Sequence, residues 1–179
     1  MVVIAISGLH GAGKTTAARA LKRRFKLDYI SAGEVFRQMA REQGMSLEEF
    51  SKYVERRPEI DKQIDERTVQ AARRGNIIID ARLAGWMARG ADLKILLTAP
   101  LEVRVRRIAN REKRKYEEVL RETRKREKSE ARRFKRLYGI DVDDWSVFDL
   151  VINTERWGAK EVAKILEVAV KSLGKVPAK

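Results

Sequence analysis

The chain has 179 residues, no cysteine and a formal charge of +14, which is enough for one well-buried domain and excludes disulfides, thiolate zinc sites and cysteine nucleophiles. No apolar run approaches the ~20 residues of a membrane-spanning helix. Charged residues make up 37% of the chain, well above the usual quarter, in a balance that also fits a heat-adapted composition.

The first apolar run, Val2-Val3-Ile4-Ala5-Ile6, predicts a strand over 2–7. It carries no basic n-region or small-residue cleavage site, so the cytoplasm is the expected location. Helical periodicity follows over 15–25, with Ala17, Ala18, Leu21 and Phe25 on the inner face. A short strand at 29–31 leads into helices over 33–43 and 46–55, the second opening with the capping box Ser46-Leu47-Glu48-Glu49. Pro58 starts a helix to 73, with Ile60, Ile64, Thr68, Ala71 and Ala72 on one side. Strands at 76–80, 93–98 and 150–153 alternate with helices over 101–111, 116–137 and 160–173.

The triplets at 4–6, 77–79 and 95–97 are apolar without alternation, as expected when helices cover both faces of a parallel sheet. The pattern is therefore α/β, doubly wound, with right-handed crossovers and over-long excursions at 33–74 and 100–150. Trp86, Trp145 and Trp157 read as core or hinge packing.

Gly8-Leu9-His10-Gly11-Ala12-Gly13-Lys14-Thr15 matches the phosphate-binding pattern G-x-x-x-x-G-K-[ST] in full, between a buried strand and an amphipathic helix. The glycines let successive backbone N–H groups point at phosphate oxygens, and the helix N-terminus faces the same anion. Ser7, Gly8, Leu9, His10, Gly11, Ala12, Gly13, Lys14, Thr15 and Thr16 are thus the expected donor site for ATP. Lys14 would reach the β- and γ-phosphates, and Thr15 would ligate Mg²⁺. His10, the single histidine, reads as a loop residue with its side chain outward.

Asp80 ends the third strand at the edge where open α/β sheets bind ligands, a place for an Mg²⁺ ligand, with a helix-capping or turn role as the alternative. Arg82 follows two residues later. Arg37, one turn after Gly33, is a phosphate-binding candidate that competes with a plain surface arginine. Residues 104–136 hold 16 Lys and Arg against 6 Glu, which concentrates ten of the fourteen excess charges there. Arg126, Glu130 and Arg133 share one helical face within that stretch.

The phosphate loop, Ser31–Arg37, Asp80-x-Arg82 and Arg126-x-x-x-Glu130-x-x-Arg133 together resemble nucleoside monophosphate kinases. The similarity is closest to short archaeal cytidylate kinases, through Ile79-Asp80-Ala81-Arg82-Leu83-Ala84-Gly85-Trp86 and Tyr138-Gly139-Ile140-Asp141-Val142-Asp143. This resemblance implies one P-loop NTPase domain over 1–179 with strand order 2-3-1-4-5, an acceptor-binding insertion near 33–74 and an arginine-rich lid near 111–136. It implies transfer of phosphate from ATP to CMP or dCMP, Arg37 and Arg82 on the acceptor phosphate, and Arg126 and Arg133 bridging donor and acceptor. The residues alone also admit AMP, UMP or a metabolite as acceptor, a P-loop ATPase, or a basic nucleic-acid-binding protein. Glu130 would touch ribose or orient those arginines, and Arg107 would lie against adenine. Bacterial cytidylate kinases carry Asp where this chain has Leu83, so the cytosine would be read elsewhere. Asp61, on the helix after Pro58, is a candidate acceptor for its amino group, with a solvated helix carboxylate as the alternative. The expected partners are these nucleotides, with no nucleic acid or membrane, and the expected state is a monomer.

Overall fold

A computed structural model describes residues 1–175; the last four residues of the expected domain lie outside it. Strand β1 (Val3–Gly8) is buried at every position and forms the centre of the sheet. It pairs in parallel with β3 (Ile77–Asp80) on one side and β4 (Leu93–Thr98) on the other. Strand β2 (Asp28–Ser31) extends the sheet beyond β3, and β5 (Leu150–Asn153) extends it beyond β4. The resulting order, β2-β3-β1-β4-β5, is the one the resemblance implied.

Helices α1 (Lys14–Phe25) and α8 (Ala159–Ser172) close one face, where Ala17, Leu21, Leu166 and Val170 pack on Ile4, Ile6, Ile95 and Leu97. Helices α4 (Pro58–Arg74) and α5 (Ala84–Met87) close the other, over Val3, Ala5, Ile77 and Ile79. Each fully buried isoleucine contributes about 1.5–3 kcal/mol, and apolar residues on both sides of a strand therefore hold it between two helix layers.

Two excursions leave this frame. Helices α2 (Ala32–Glu42) and α3 (Leu47–Glu55) precede α4 between β2 and β3. They build a separate core of Phe36, Phe50, Val54, Ile60 and Ile64, and the expected capping box at Ser46 is formed. Helices α6 (Leu101–Glu112) and α7 (Tyr116–Tyr138) lie between β4 and β5, joined through Val105, Ile108 and Val119.

The excursions meet. Arg133 Nε on α7 donates to Asp61 Oδ2 on α4 at 2.7 Å, Tyr138 Oη donates to Asp65 Oδ2 at 2.6 Å, and Arg136 donates to the Glu55 carbonyl at 3.1 Å.

Two features differ from the sequence reading. The four-residue α5 has no periodicity to announce it; its Gly85 N–H donates to Ser7 Oγ at 2.9 Å, and Phe148 packs on Gly85 and edge-on to Trp86. Trp86 fits the packing expectation, but Trp145 and Trp157 are each about half exposed, at 50% and 49%, because neither lies on an element that faces a core.

Candidate active site

Parallel register brings the chemistry to one edge. Asp80 is paired with Ile6 of β1 and Ser31 of β2, so its carboxylate emerges beside the glycine loop. Thr15 Oγ1 donates to Asp80 Oδ2 at 2.6 Å, and Tyr29 and Ser31 donate to the same oxygen at 3.2 and 3.4 Å. Burial pushes the Tyr29 phenol up to about 12, which keeps it a proton donor. One threonine hydroxyl and one carboxylate, both hard oxygens, form the donor set that Mg²⁺ uses when phosphates and water supply the rest.

The loop follows the geometry its pattern requires. Gly8 and Gly11 have φ of 148° and 80°, and a Cβ on Gly11 would lie 2.6 Å from the Arg104 carbonyl. Helix α6 therefore supports the loop from below, and only glycine permits that approach. Above the loop lies a cavity of about 350 Å³. His10 through Thr16 line it, joined by Arg37 from α2, Arg107 and Arg111 from α6, Arg126 from α7 and Trp157. Ser7, Gly8 and Leu9, also expected at the donor site, are outside this lining. Ser7 Oγ is engaged by Gly85, and the Leu9 carbonyl accepts from Lys14 Nζ at 3.2 Å. Burial lowers the Lys14 ammonium, with Asp80 opposing.

Arg107 is fixed by Thr154, whose hydroxyl and carbonyl accept from it at 2.9 and 2.7 Å. Burial lowers the Arg37 guanidinium, as do the charges of Arg111 and Arg126 beside it. Arg82 is largely buried, and its Nε has no hydrogen-bond partner among the described residues; the Glu130 carboxylate lies 3.8 Å away. Arg126 Nε donates to Glu130 Oε1 at 3.1 Å while its guanidinium lies 5.2 Å from the Phe36 ring centroid. Asp61 and Arg133, both buried, bond to each other, and Arg133 also donates to Ser129. Burial raises the Asp61 carboxyl and Arg133 opposes this. The structure thus gathers Lys14, Arg37, Arg107 and Arg126 at one cavity, and holds Asp61 and Arg133 together outside its lining.

His10 departs from the outward placement expected of it. Its Nε2 lies 2.9 and 3.0 Å from the two Glu130 oxygens. Burial, with Arg126 nearby, pushes the imidazole down to about 4, so the neutral ring donates from Nε2. Burial opposes ionisation of Glu130, yet His10, Arg126 and Arg82 hold its carboxyl well below the usual range. The sequence reading also missed the Arg104–Glu127 pair. Arg104 is 3% exposed, donates to the Ala99 and His10 carbonyls at 2.9 and 3.0 Å, and meets Glu127 on α7. In the sequence it was one of the 16 basic residues of the 104–136 stretch, with nothing to single it out.

A buried strand, a glycine loop, a helix opening with Lys-Thr and an acidic neighbouring strand end define a P-loop nucleotide-binding fold of the small-kinase kind. Solved structures share that fold. A shikimate kinase from Acinetobacter baumannii aligns with a TM-score of 0.57 at 16% identity, over 96% of this chain and 94% of its own. A protein from Eubacterium ventriosum aligns with a TM-score of 0.65, also at 16% identity, over 98% and 99%. The chain belongs to the Cytidylate kinase-like family, which matches residues 3–156. Cytidylate kinase of Pyrococcus horikoshii is 47% identical over 98% of this chain and 91% of its own length. That of Methanocaldococcus jannaschii is 44% identical over 97% and 100%. No helix among the described residues is long and apolar enough to cross a membrane.

Proposed function

We propose that this protein transfers the γ-phosphate of ATP to CMP or dCMP, giving ADP and CDP or dCDP. The observation that carries the reading is the convergence of Arg37 and Arg126, from two separate excursions, on the cavity that holds Lys14. Burial and then the charges of Arg111 and Arg126 lower the Arg37 guanidinium, and this cluster of cations is arranged for an anion to enter between them. The family and its cytidylate kinase relatives supply the base.

An acceptor phosphate oxygen attacks the γ-phosphorus in line, and the bond from that phosphorus to the β,γ-bridging oxygen breaks. The acceptor is already anionic, so no covalent enzyme intermediate is required. Loop amides and Lys14 hold the donor, Arg37 and Arg82 hold the acceptor phosphate, and Arg126 lies between them to neutralise transferring charge. Thr15 and Asp80 would hold Mg²⁺, which when bound supplies positive charge to the donor phosphates. The excursion at α2–α4 is the proposed acceptor-binding part and α6–α7 the lid. Closure of the lid over both substrates would exclude water from the phosphate being moved. Asp61 is the proposed reader of the cytosine amino group. Arg133, which the resemblance set to bridge donor and acceptor phosphates, is committed to Asp61 and Ser129 outside the cavity lining and is proposed to orient Asp61 instead.

The test is ADP release from Mg-ATP with CMP, dCMP, UMP, AMP, GMP or no acceptor. Turnover with CMP and dCMP above all others is expected. Preference for another monophosphate would discard the cytosine assignment and keep the transfer chemistry. Release that ignores every acceptor would remove the kinase reading.

A further inference from the structure

His10 is held at both ends of the residue, by α7 at its side chain and by α6 at its carbonyl. Its imidazole donates to Glu130, and its carbonyl accepts from Arg104, which is itself paired with Glu127. Glu127 and Glu130 are three apart on α7 and so face the same way. One loop residue is thereby tied to one face of α7 twice, directly through Glu130, 120 residues away in sequence, and indirectly through Arg104 and its partner Glu127. The next residue, Gly11, lies against the Arg104 backbone, which leaves the loop tip little freedom except to move with these partners. Glu130 in turn accepts from Arg126 and lies 3.8 Å from Arg82 Nε, which has no hydrogen-bond partner among the described residues.

We propose that His10 is a positioning residue, the joint through which the donor loop and α7 move together. Donor phosphates seated on the loop fix its tip, the tip fixes Glu130, and Glu130 sets where Arg126 and Arg82 stand for the acceptor. The imidazole remains neutral and exchanges no proton with substrate; its contribution is one N–H donated to a buried carboxylate, a bond that is costly to leave unmade. The inference rests on the kinase reading for the donor and is independent of which base the acceptor carries.

The experiment is amide hydrogen exchange of residues 126–133 in the full chain, with and without saturating Mg-ADP, with ADP binding verified by calorimetry. In the parent protein ADP should slow exchange there by at least about tenfold, the mark of a helix stabilised through a bound neighbour. His10→Gln, which keeps an N–H donor, should retain most of that protection, and His10→Ala should lose it. Glu130→Ala breaks the same link from the α7 end, leaves the loop sequence intact and should also lose it. Full ADP-dependent protection in His10→Ala or Glu130→Ala overturns the proposal, as does its absence in the parent protein with ADP bound. Failure of the parent to bind ADP would remove the donor reading and the joint with it. The acceptor assay decides the base separately.

Discussion

Asp65→Asn should stabilise this protein at alkaline pH and leave it nearly unchanged in acid. Asp65 is 8% exposed on α4, and its Oδ2 accepts the Tyr138 hydroxyl at 2.6 Å. Burial raises its carboxyl from 3.8 to about 6, although the Tyr138 hydrogen bond pulls downward. The folded state therefore holds a proton that the unfolded chain has already released across that interval. Stability from this group is complete below the unfolded value and is lost as pH rises through about 6. The interval of roughly two pH units corresponds to about 3 kcal/mol at 1.36 kcal/mol per unit. Asparagine is neutral at every pH and still offers Tyr138 an acceptor. Urea unfolding at several pH values from 4 to 8 would measure the difference, with an unchanged denaturant slope as the check on two-state behaviour. The variant should be more stable by about 2–3 kcal/mol at pH 8, narrowing to near zero at pH 4. A difference that does not vary with pH, or a less stable variant at pH 8, would refute the reasoning.

Arg126→Ala and Lys14→Ala should each lower kcat by about 10³-fold or more, the scale of lost transition-state charge neutralisation, with unfolding midpoints close to the parent; near-parent turnover in either would refute its role. Arg133→Met strands the buried Asp61 carboxylate and should cost about 3–5 kcal/mol in urea unfolding, whereas the double variant with Asp61→Leu should recover most of it. Gly11→Ala drives a Cβ to 2.6 Å from the Arg104 carbonyl, so nucleotide affinity measured by calorimetry should fall at least about tenfold, as expected for backbone strain of 1–3 kcal/mol. Thr15→Ala should raise the Mg²⁺ concentration needed for half-maximal turnover, because it removes one of the two protein oxygens proposed for the ion.

Much of the fold was legible because local signals agreed with tertiary ones. Unalternating apolar triplets at 4–6, 77–79 and 95–97 required two covered faces, and the sheet provides them. Pro58 and the Ser46 capping box set helix starts that the structure keeps. What escaped depends on partners far away in sequence. Helix α5 forms because Ser7 and Phe148 hold Gly85, and neither leaves a trace in the local pattern. His10 points inward because Glu130 waits 120 residues later, whereas a loop residue read alone defaults to solvent. Arg104 looked like one of many basic residues until its guanidinium was found between two backbone carbonyls and Glu127. The phosphate loop was readable in full because its function lies in its own backbone. The arginines around it could be named, but their pairing could not be anticipated, since Arg126 and Arg133 differ only in which partner faces them.

The bonds between α4 and α7 also bear on how this sequence can be recombined. Asp61 with Arg133 and Asp65 with Tyr138 are matched across two segments that a genetic engineer would naturally exchange one at a time. A chimera that takes α7 from a distant relative while keeping the native α4 inherits half of each pair: the buried Asp61 carboxylate without its cation, and the buried Asp65 carboxyl without its hydroxyl donor. The two segments form one heritable unit, to be transplanted together or not at all.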